Sequence, residues 1–491
     1  MTFSQPPEIP GGLAGLESRV RQDLAWLDLP TCSWVPERSM DGRHVLDVVV
    51  VGGGMAGLTA SGYLRRYGLL NHVVLDQAPA GQEGPWVTYA RMTTLRSPKT
   101  LSGPCMGLPG LTFRAWYEAR FGTVAWDGLD KIPRQTWMAY LEWLRHVLDL
   151  PVRNGVTLTN VARAADGVLA LTVVQDGVTE TLLCRHLVLA TGRDGMGGSY
   201  VPPVIAGLPR DYWRHSADPI DFAALKNRRV VVVGAGASAM DNAATALEAG
   251  AARVDMVIRR ATLPAVNKFT GIGSMGVVQG FVGLSDGWKW RFMDTVLDAQ
   301  TPPPRPSVLR VSSHPNAFFH LSCPIDRLEM AGNAVRLHTP RGVMETDFII
   351  AATGFCADMS RRPELAAMAP HIRLWKDRFT PAAQDMPSGH VSAELATSPD
   401  LGPGFEFLEK VPGSCPWLKY VHCFCFPATL SHGKVSGDIP AISDGAERLA
   451  RHITRALFVE DRETHYANLV AFDTPELRGD EWRDTPLPAI G

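Results

Sequence analysis

Cysteine is scarce: eight residues in a chain of 491, with no C-x-x-C among them. That excludes a disulfide framework and the usual redox-pair and zinc-ribbon spacings. An excess of charge of one sign is missing too, since 48 Lys and Arg stand against 50 Asp and Glu, a net charge of −2. With no basic block, neither nucleic acid nor an anionic membrane surface is an expected partner. No apolar run is long enough to cross a bilayer. The N-terminal stretch, Met1-Thr2-Phe3-Ser4-Gln5-Pro6-Pro7, lacks the charged and apolar regions of a secretory signal. These absences lead us to expect a cytoplasmic protein of two or three domains. His422-Cys423-Phe424-Cys425, with His432 nearby, has the residue types of a metal site. In a strand, however, His422 and Cys423 point to opposite faces. No second ligand pair stands at finger-like spacing, so buried strand residues are expected and no metal.

What is present centres on residues 45–76. Val45-Leu46-Asp47-Val48-Val49-Val50-Val51 is too short for a helix and rich in β-branched residues. That composition predicts a buried parallel strand. Gly52-Gly53-Gly54-Met55-Ala56-Gly57 follows, then a helical pattern stopped by Gly68, then Val73-Val74-Leu75-Asp76. Gly52 permits the tight turn, Gly54 lets backbone approach a pyrophosphate, and Gly57 lets the helix pack on the sheet. The helix N-terminus offers unpaired N–H groups to phosphates, and Asp76 would accept hydrogen bonds from a ribose diol. Strand, turn, helix and acid together predict dinucleotide binding.

The pattern recurs. Arg229-Val230-Val231-Val232-Val233 leads into Gly234-Ala235-Gly236-Ala237-Ser238-Ala239 and a helix stopped by Gly250. The next strand, Val254-Asp255-Met256-Val257-Ile258, ends on Arg259-Arg260 instead of an acid. Guanidinium groups can pair with a 2′-phosphate through parallel hydrogen bonds, so this reads as an NADPH site; the alternative is a solvated arginine pair.

Around these units, Leu13, Leu16, Val20, Leu24 and Leu27 predict an amphipathic helix. Gly81 to Trp86 and residues 93–100 read as an irregular loop near the cofactor's reactive end. A helix opening near Ile132-Pro133-Arg134 carries Trp137, Tyr140 and Trp143 as core aromatics. Residues 156–161, 169–174 and 181–184 predict a small meander. Leu187-Val188-Leu189-Ala190-Thr191-Gly192 and Phe348-Ile349-Ile350-Ala351-Ala352-Thr353-Gly354 are further strands with the same Ala-Thr-Gly ending. Residues 263–306 look irregular, a lid or a substrate-contacting insertion, and 335–338 with 343–346 resemble a hairpin. Gly437-Asp438-Ile439-Pro440 precedes a helical pattern of Ile442, Ala446, Leu449, Ala450, Ile453 and Leu457. Asp438 there either bonds a ribityl chain, with the helix dipole aimed at a flavin, or is a simple N-cap.

Taken together, the paired fingerprints, the two Ala-Thr-Gly endings and the terminal Gly-Asp resemble the FAD- and NADPH-dependent class B flavoprotein monooxygenases, from about Val45 onward. Thr94-Leu95-Arg96-Ser97-Pro98, Leu111-Thr112-Phe113, and Pro133-Arg134 through Tyr140-Leu141-Glu142-Trp143 are most similar to the amine-hydroxylating branch, the lysine and ornithine hydroxylases. Two departures stand out. The F-x-G-x-x-x-H signature of flavin-containing and Baeyer–Villiger enzymes survives only as Tyr212, Trp213 and His215-Ser216, with Pro209 and Asp211 in place of the aromatic and the glycine. The loop Thr88-Tyr89-Ala90-Arg91-Met92 lacks the lysine with which amino-acid hydroxylases hold their substrate.

The resemblance implies an α/β fold of two Rossmann-like dinucleotide-binding domains, the NADPH domain inserted into the FAD domain. The expected divisions are an N-terminal helical extension (1–44), FAD domain (45–215), NADPH domain with the irregular insertion (216–345), and the rest of the FAD domain with a C-terminal helix (346–491). It also implies a cycle in which NADPH reduces FAD, O₂ adds at the flavin 4a carbon, and the distal oxygen passes to a small-molecule nucleophile by N-hydroxylation or N- or S-oxidation. Ketone oxygenation and an NADPH oxidase without oxygenated substrate remain alternatives, and homo-oligomerisation is open. Expected cofactor residues are Gly52, Gly54, Gly57, Asp76, Trp86, Thr191, Gly234, Gly236, Ser238, Arg259, Arg260, Thr353, Gly354 and Asp438. Arg96, Lys99 and His215 are the expected pocket residues.

Overall fold

The valine-rich Arg43–Val51 strand is the centre of an eight-stranded sheet, with Val48, Val49 and Val50 fully buried. It pairs in parallel with His72–Asp76 on one side and Val178–Leu189 on the other. A strand covered on both faces has no use for polar alternation, which is why its sequence is a continuous apolar run. Val152–Asn154 and Val421–Cys423 extend the parallel part at either side. This computed structural model describes residues 11–489; the stretch 1–7, read for a secretory signal, lies outside them. Among the described residues no helix is long and apolar enough to cross a membrane.

The meander is larger than expected. Val156–Ala165 pairs antiparallel with Val168–Gln175, and Val168–Gln175 in turn with the first half of Val178–Leu189. Residues 181–184 and 187–189 are therefore parts of one 12-residue strand. The break suggested by Arg185-His186 is absent because both side chains are buried with partners. Arg185 holds Glu460 at 2.9 Å and Asp461 at 2.6 Å, and Asp461 also meets Arg38 at 2.6 Å. His186 Nδ1 lies 3.0 Å from His422 Nε2, and His422 in turn donates to the Gly404 carbonyl at 2.7 Å. His432 is likewise engaged, with the Gly402 carbonyl at 2.9 Å.

A second, five-stranded parallel sheet has the order Trp213–His215, Phe348–Ala351, Arg229–Val233, Arg253–Val257, Ala317–His320. The Ala237–Glu248 helix packs against it. The predicted hairpin is present as Ala334–Thr339 and Gly342–Thr346, with Arg327–Ala331 as a third strand. The chain crosses between the two sheets twice, and the crossings pair with each other. Gly198–Ser199 lies antiparallel to Phe355–Cys356, and Tyr200 N–H donates to Gly354 O at 2.9 Å.

Two segments are more ordered than their composition suggests. Thr94–Pro98, read as loop, is a strand paired with Lys131–Pro133. Within 263–306, Met275–Gly280 and Asp286–Ala299 are helical, and Phe281, Trp290 and Met293 share a core with Trp375, Leu395 and Leu430. The Ile442–Glu460 helix buries Ile442, Ala446, Leu449, Ala450, Ile453 and Leu457, the stripe its spacing predicts. Near the N-terminus, the Gly12–Trp26 helix buries Leu16 and Val20.

Candidate active site

The first glycine turn is shaped by what a side chain would strike. Gly52 has φ +106°, and a Cβ there would run into the Ala190 carbonyl, while one on Gly57 would overlap the Gly52 carbonyl. Gly54 meets nothing closer than Gly84 Cα at 3.8 Å, so the outer side of the turn is open. Asp76 closes the turn: Oδ2 accepts from Gly53 N–H at 2.6 Å and Oδ1 from Ala78 N–H at 2.7 Å. Burial raises its carboxyl above the usual range, and those two N–H groups oppose the shift. Each oxygen keeps a lone pair for a further donor. No side chain caps the Met55–Arg66 helix at Gly54, so the N–H groups of its first turn are unclaimed.

Beside this turn is a cavity of about 420 Å³ lined by Gly53, Gly54, Glu83, Met138, Glu142 and Arg145 among others. Glu83 Oε1 accepts from Arg145 at 3.0 Å and from Asn154 at 2.7 Å. Neither Glu83 nor Arg145 was anticipated. The only sequence signal was a charged residue inside the Gly81–Gly84 turn, where chain reversal alone needs none.

At the carboxyl end of the sheet, Thr191 Oγ1 is buried without a partner among the described residues, and Gly192 O accepts from Phe426 N–H at 3.2 Å. Phe426 packs against Gly437, whose added Cβ would lie 3.9 Å from the ring. Asp438 stands at the N-cap of the Ile439–Ala441 turn yet makes no side-chain capping bond. Its carboxylate is 3.6 Å from Lys434 Nζ, and it opposes the burial that lowers the Arg96 pKa. Arg96 donates to Pro302 O at 2.7 Å. Trp86 is edge-on to Trp137 at 6.2 Å, and its carbonyl accepts from Arg134. Lys99 does not join this group. Its ammonium donates to Trp126 O at 2.6 Å and sits 4.9 Å from the Trp126 ring, an engagement with the end of the Thr123–Gly128 helix.

The second turn repeats the first. Gly234 has φ +138°, with its added Cβ 2.5 Å from Ala352 O, and Gly236 faces open space. Ala239 is fully buried where the first turn has Gly57. Ser238 O accepts from Asn242 at 2.8 Å, and Asn242 Oδ1 is buried with no partner among the described residues. Arg259 is exposed and Arg260 half-buried. No ion pair within 4.0 Å engages either among the described residues, while Arg260 O is fixed by Ser322 N–H at 2.8 Å. Thr353 Oγ1 donates to Tyr200 O. His215 lies where the two crossings meet: Nδ1 accepts from Ala217 N–H at 3.1 Å, and the ring is edge-on to Phe355 at 5.8 Å. An accepting Nδ1 places the proton of the neutral ring on Nε2, which is buried and makes no full hydrogen bond among the described residues, although the Gly354 backbone lies close enough to favour the protonated ring. Burial lowers the His215 pKa, favouring that neutral form.

Two open glycine turns and orphaned polar atoms at Thr191, His215 and Asn242 fit two bound dinucleotides. Among the described residues no group of three or more His, Cys, Asp or Glu is arranged to hold a metal ion.

Several known proteins are similar to this chain. A family profile described as pyridine nucleotide-disulphide oxidoreductase matches residues 49–269. The chain is 39% identical over 472 residues to a FAD-dependent urate hydroxylase of Xanthomonas campestris pv. campestris, covering 96% of this chain and 98% of the relative. Among solved structures it superposes on ornithine hydroxylase from Pseudomonas aeruginosa with a TM-score of 0.65, at 16% identity, over 84% of this chain and all (100%) of that one. An ornithine N-hydroxylase from Kutzneria sp. 744, holding reduced FAD, NADP⁺ and L-ornithine, gives a TM-score of 0.62 at 16% identity, over 84% of this chain and 99% of that one. The two superpositions show a common fold. Near-complete coverage of the hydroxylase carries the assignment further: this chain belongs to the FAD- and NADPH-dependent class B flavoprotein monooxygenases, oxidoreductases that use O₂ to oxygenate a small molecule.

Proposed function

We propose that this enzyme hydroxylates urate or a closely related oxidised purine. The observation that carries the reading is the end-to-end similarity to a FAD-dependent urate hydroxylase, 39% identical over 96% of this chain. The loop 88–92 supports it: it offers Tyr89 and Arg91 where amino-acid hydroxylases carry a lysine. The overall change is urate + O₂ + NADPH + H⁺ to hydroxylated urate + NADP⁺ + H₂O.

In this reading FAD, when bound, supplies activation of O₂, with NADPH as the hydride source. The protein's part is to bind, orient and keep the site dry. Residues 45–215 and 346–491 form the FAD domain, with 216–345 inserted as the NADPH domain and 1–44 as an extension. Gly52 and Gly54 admit the FAD pyrophosphate to the Met55–Arg66 helix N-terminus, with Gly57 seating that helix. Asp76 accepts from the ribose through its remaining lone pairs, and Glu83 and Arg145 line the same end. Trp86, Thr191 and Asp438 face the isoalloxazine end. Gly234, Gly236 and Ser238 receive the NADPH pyrophosphate, Arg259 and Arg260 its 2′-phosphate, and Thr353 and Gly354 its nicotinamide half. His215 Nε2 donates into the cleft, and Arg96 borders it. Eight free cysteines suit a reducing compartment, which supports a cytoplasmic location.

The test is aerobic turnover of purified holoenzyme. Loss of urate absorbance should match NADPH oxidation one to one and depend on O₂. NADPH oxidation that ignores urate and yields stoichiometric H₂O₂ would sink the reading and favour an oxidase.

A further inference from the structure

Arg193 is the one guanidinium at the carboxyl end of the first sheet that the fold leaves without a hydrogen bond or an ion pair among the described residues. It follows Thr191-Gly192 directly, is exposed, and its Cζ lies 4.4 Å from the centroid of the Phe426 ring. Other arginines around the cleft are engaged: Arg96 with Pro302 O, Arg134 with Trp86 O, and Arg91 with Thr88 O. Phe426 is itself fixed, through its N–H to Gly192 O and through packing on Gly437. The guanidinium therefore rests on a rigid ring with its donors unused. A stacked guanidinium is pre-oriented, so little rotamer freedom is lost when it grips a ligand.

We propose that Arg193, seated on Phe426, is the substrate-binding residue that grips the anionic edge of a planar heterocycle. The claim rests on the urate reading for the identity of the ligand but not for its chemical class. Urate is a flat monoanion at neutral pH with carbonyl oxygens along its rim, and a guanidinium fork matches two adjacent acceptors. Ligands of open α/β sheets bind beyond the carboxyl ends of the strands, which is where this stack lies.

Two further side chains feel the Arg193 charge. Tyr89 has its phenol pushed up to about 12, by burial first and by Asp194 second, with Arg193 acting against the shift. It stays protonated at any physiological pH and can donate to a carbonyl. Glu394 is on the Ala393–Ala396 helix, open to solvent on one side, yet crowding raises its carboxyl and the Arg193 charge opposes that rise. Both groups therefore lie within electrostatic reach of Arg193. One cation, one neutral donor and two carboxyls, Asp194 and Glu394, suit a rim that carries both carbonyls and ring N–H groups.

The experiment is equilibrium titration of oxidised holoenzyme with urate, without NADPH, read by perturbation of the flavin spectrum. Arg193→Met should weaken urate at least tenfold, Arg193→Lys by less, and Phe426→Leu several-fold without any change of charge. Flavin content and the anaerobic rate of flavin reduction by NADPH should stay at the parent level, which separates lost ligand binding from misfolding. Retention of parent affinity in Arg193→Met, within twofold, overturns the proposal. If the parent binds no urate, the urate reading fails alone, and the titration is repeated with orotate and nicotinate as planar heterocyclic anions. Arg193→Met must then lose whichever anion the parent binds. A parent that binds none of them overturns the assignment of Arg193 as well.

Discussion

Replacing Arg259 and Arg260 together by alanine separates recognition of the 2′-phosphate from everything else the second turn does. The two side chains have no carboxylate partner among the described residues, and Arg259 is exposed. The substitution therefore removes no ion pair from the fold, and global stability should move by no more than about 0.5 kcal/mol. A hydrogen bond to a charged group contributes about 1.5–3 kcal/mol. With one side chain exposed and the other half-buried, the lower figure applies, about 1.5 kcal/mol per arginine on average. The pair then amounts to about 3 kcal/mol, or roughly 100-fold in Kd at 1.4 kcal/mol per decade. Arg260, the less exposed, should carry the larger share because salt screens it less. NADH has no 2′-phosphate to lose, so its affinity should shift by less than about threefold on the same bookkeeping. The assay is anaerobic stopped-flow reduction of the flavin at varied NADPH and NADH, with half-saturation as the readout. Equal losses for both coenzymes would refute the argument and leave the arginines as a solvated pair at a strand end.

Gly52→Ala should purify without flavin colour, since its Cβ would run into the Ala190 carbonyl at a backbone φ of +106°; a parent-level ratio of flavin to protein absorbance would contradict this. Asp461→Ala leaves the fully buried Arg185 with Glu460 alone and releases Arg38. Breaking a buried pair from one side costs about 3–5 kcal/mol, so the urea midpoint should fall sharply, and a loss below about 1 kcal/mol would show that the cluster is not structural. Stability should also drop in mild acid. Burial lowers His72 to about 4 and His422 and His432 to about 3, so they stay neutral in the fold while the unfolded chain takes up protons below about 6.5. Stability is then present above that pH and lost as pH falls from about 6.5 towards 4, at about 1.4 kcal/mol per pH unit for each histidine. Asp47, raised by burial to about 6, runs the other way and offsets one of them. Urea midpoints at pH 7.5, 6 and 5 check the slope, and a flat profile refutes it.

Both glycine turns were legible because their spacing encodes a local geometry: strand, reversal, helix and strand follow within about thirty residues. The apolar stripe of Ile442–Glu460 was legible for the same reason, one face repeating along one helix. What escaped depends on partners far along the chain. Arg185-His186 looks like a strand break until Asp461 and His422 arrive to satisfy it. Thr94–Pro98 has no strand-like composition and needs Lys131–Pro133 to pair with. Trp290 and Phe281 order the segment 263–306 only because Trp375, Leu395 and Leu430 complete their core. Lys99 was recognisable as a cation, but its engagement with Trp126 was not. The stack of Arg193 on Phe426 joins residues more than two hundred positions apart, and no local pattern announces it.

The paired crossings between the sheets have a mechanical consequence. Two covalent links hydrogen-bonded to each other, Gly198–Ser199 and Phe355–Cys356, form a two-stranded ribbon between the sheets. Shear across it would tear the ribbon, whereas twist asks only for dihedral changes at its ends. The bonds from Arg96 to Pro302 O and from Arg310 to Arg91 O are further ties, beside the core that residues 263–306 share with Trp375, Leu395 and Leu430. Any movement of one sheet against the other must therefore loosen those bonds and that core as well as twist the ribbon.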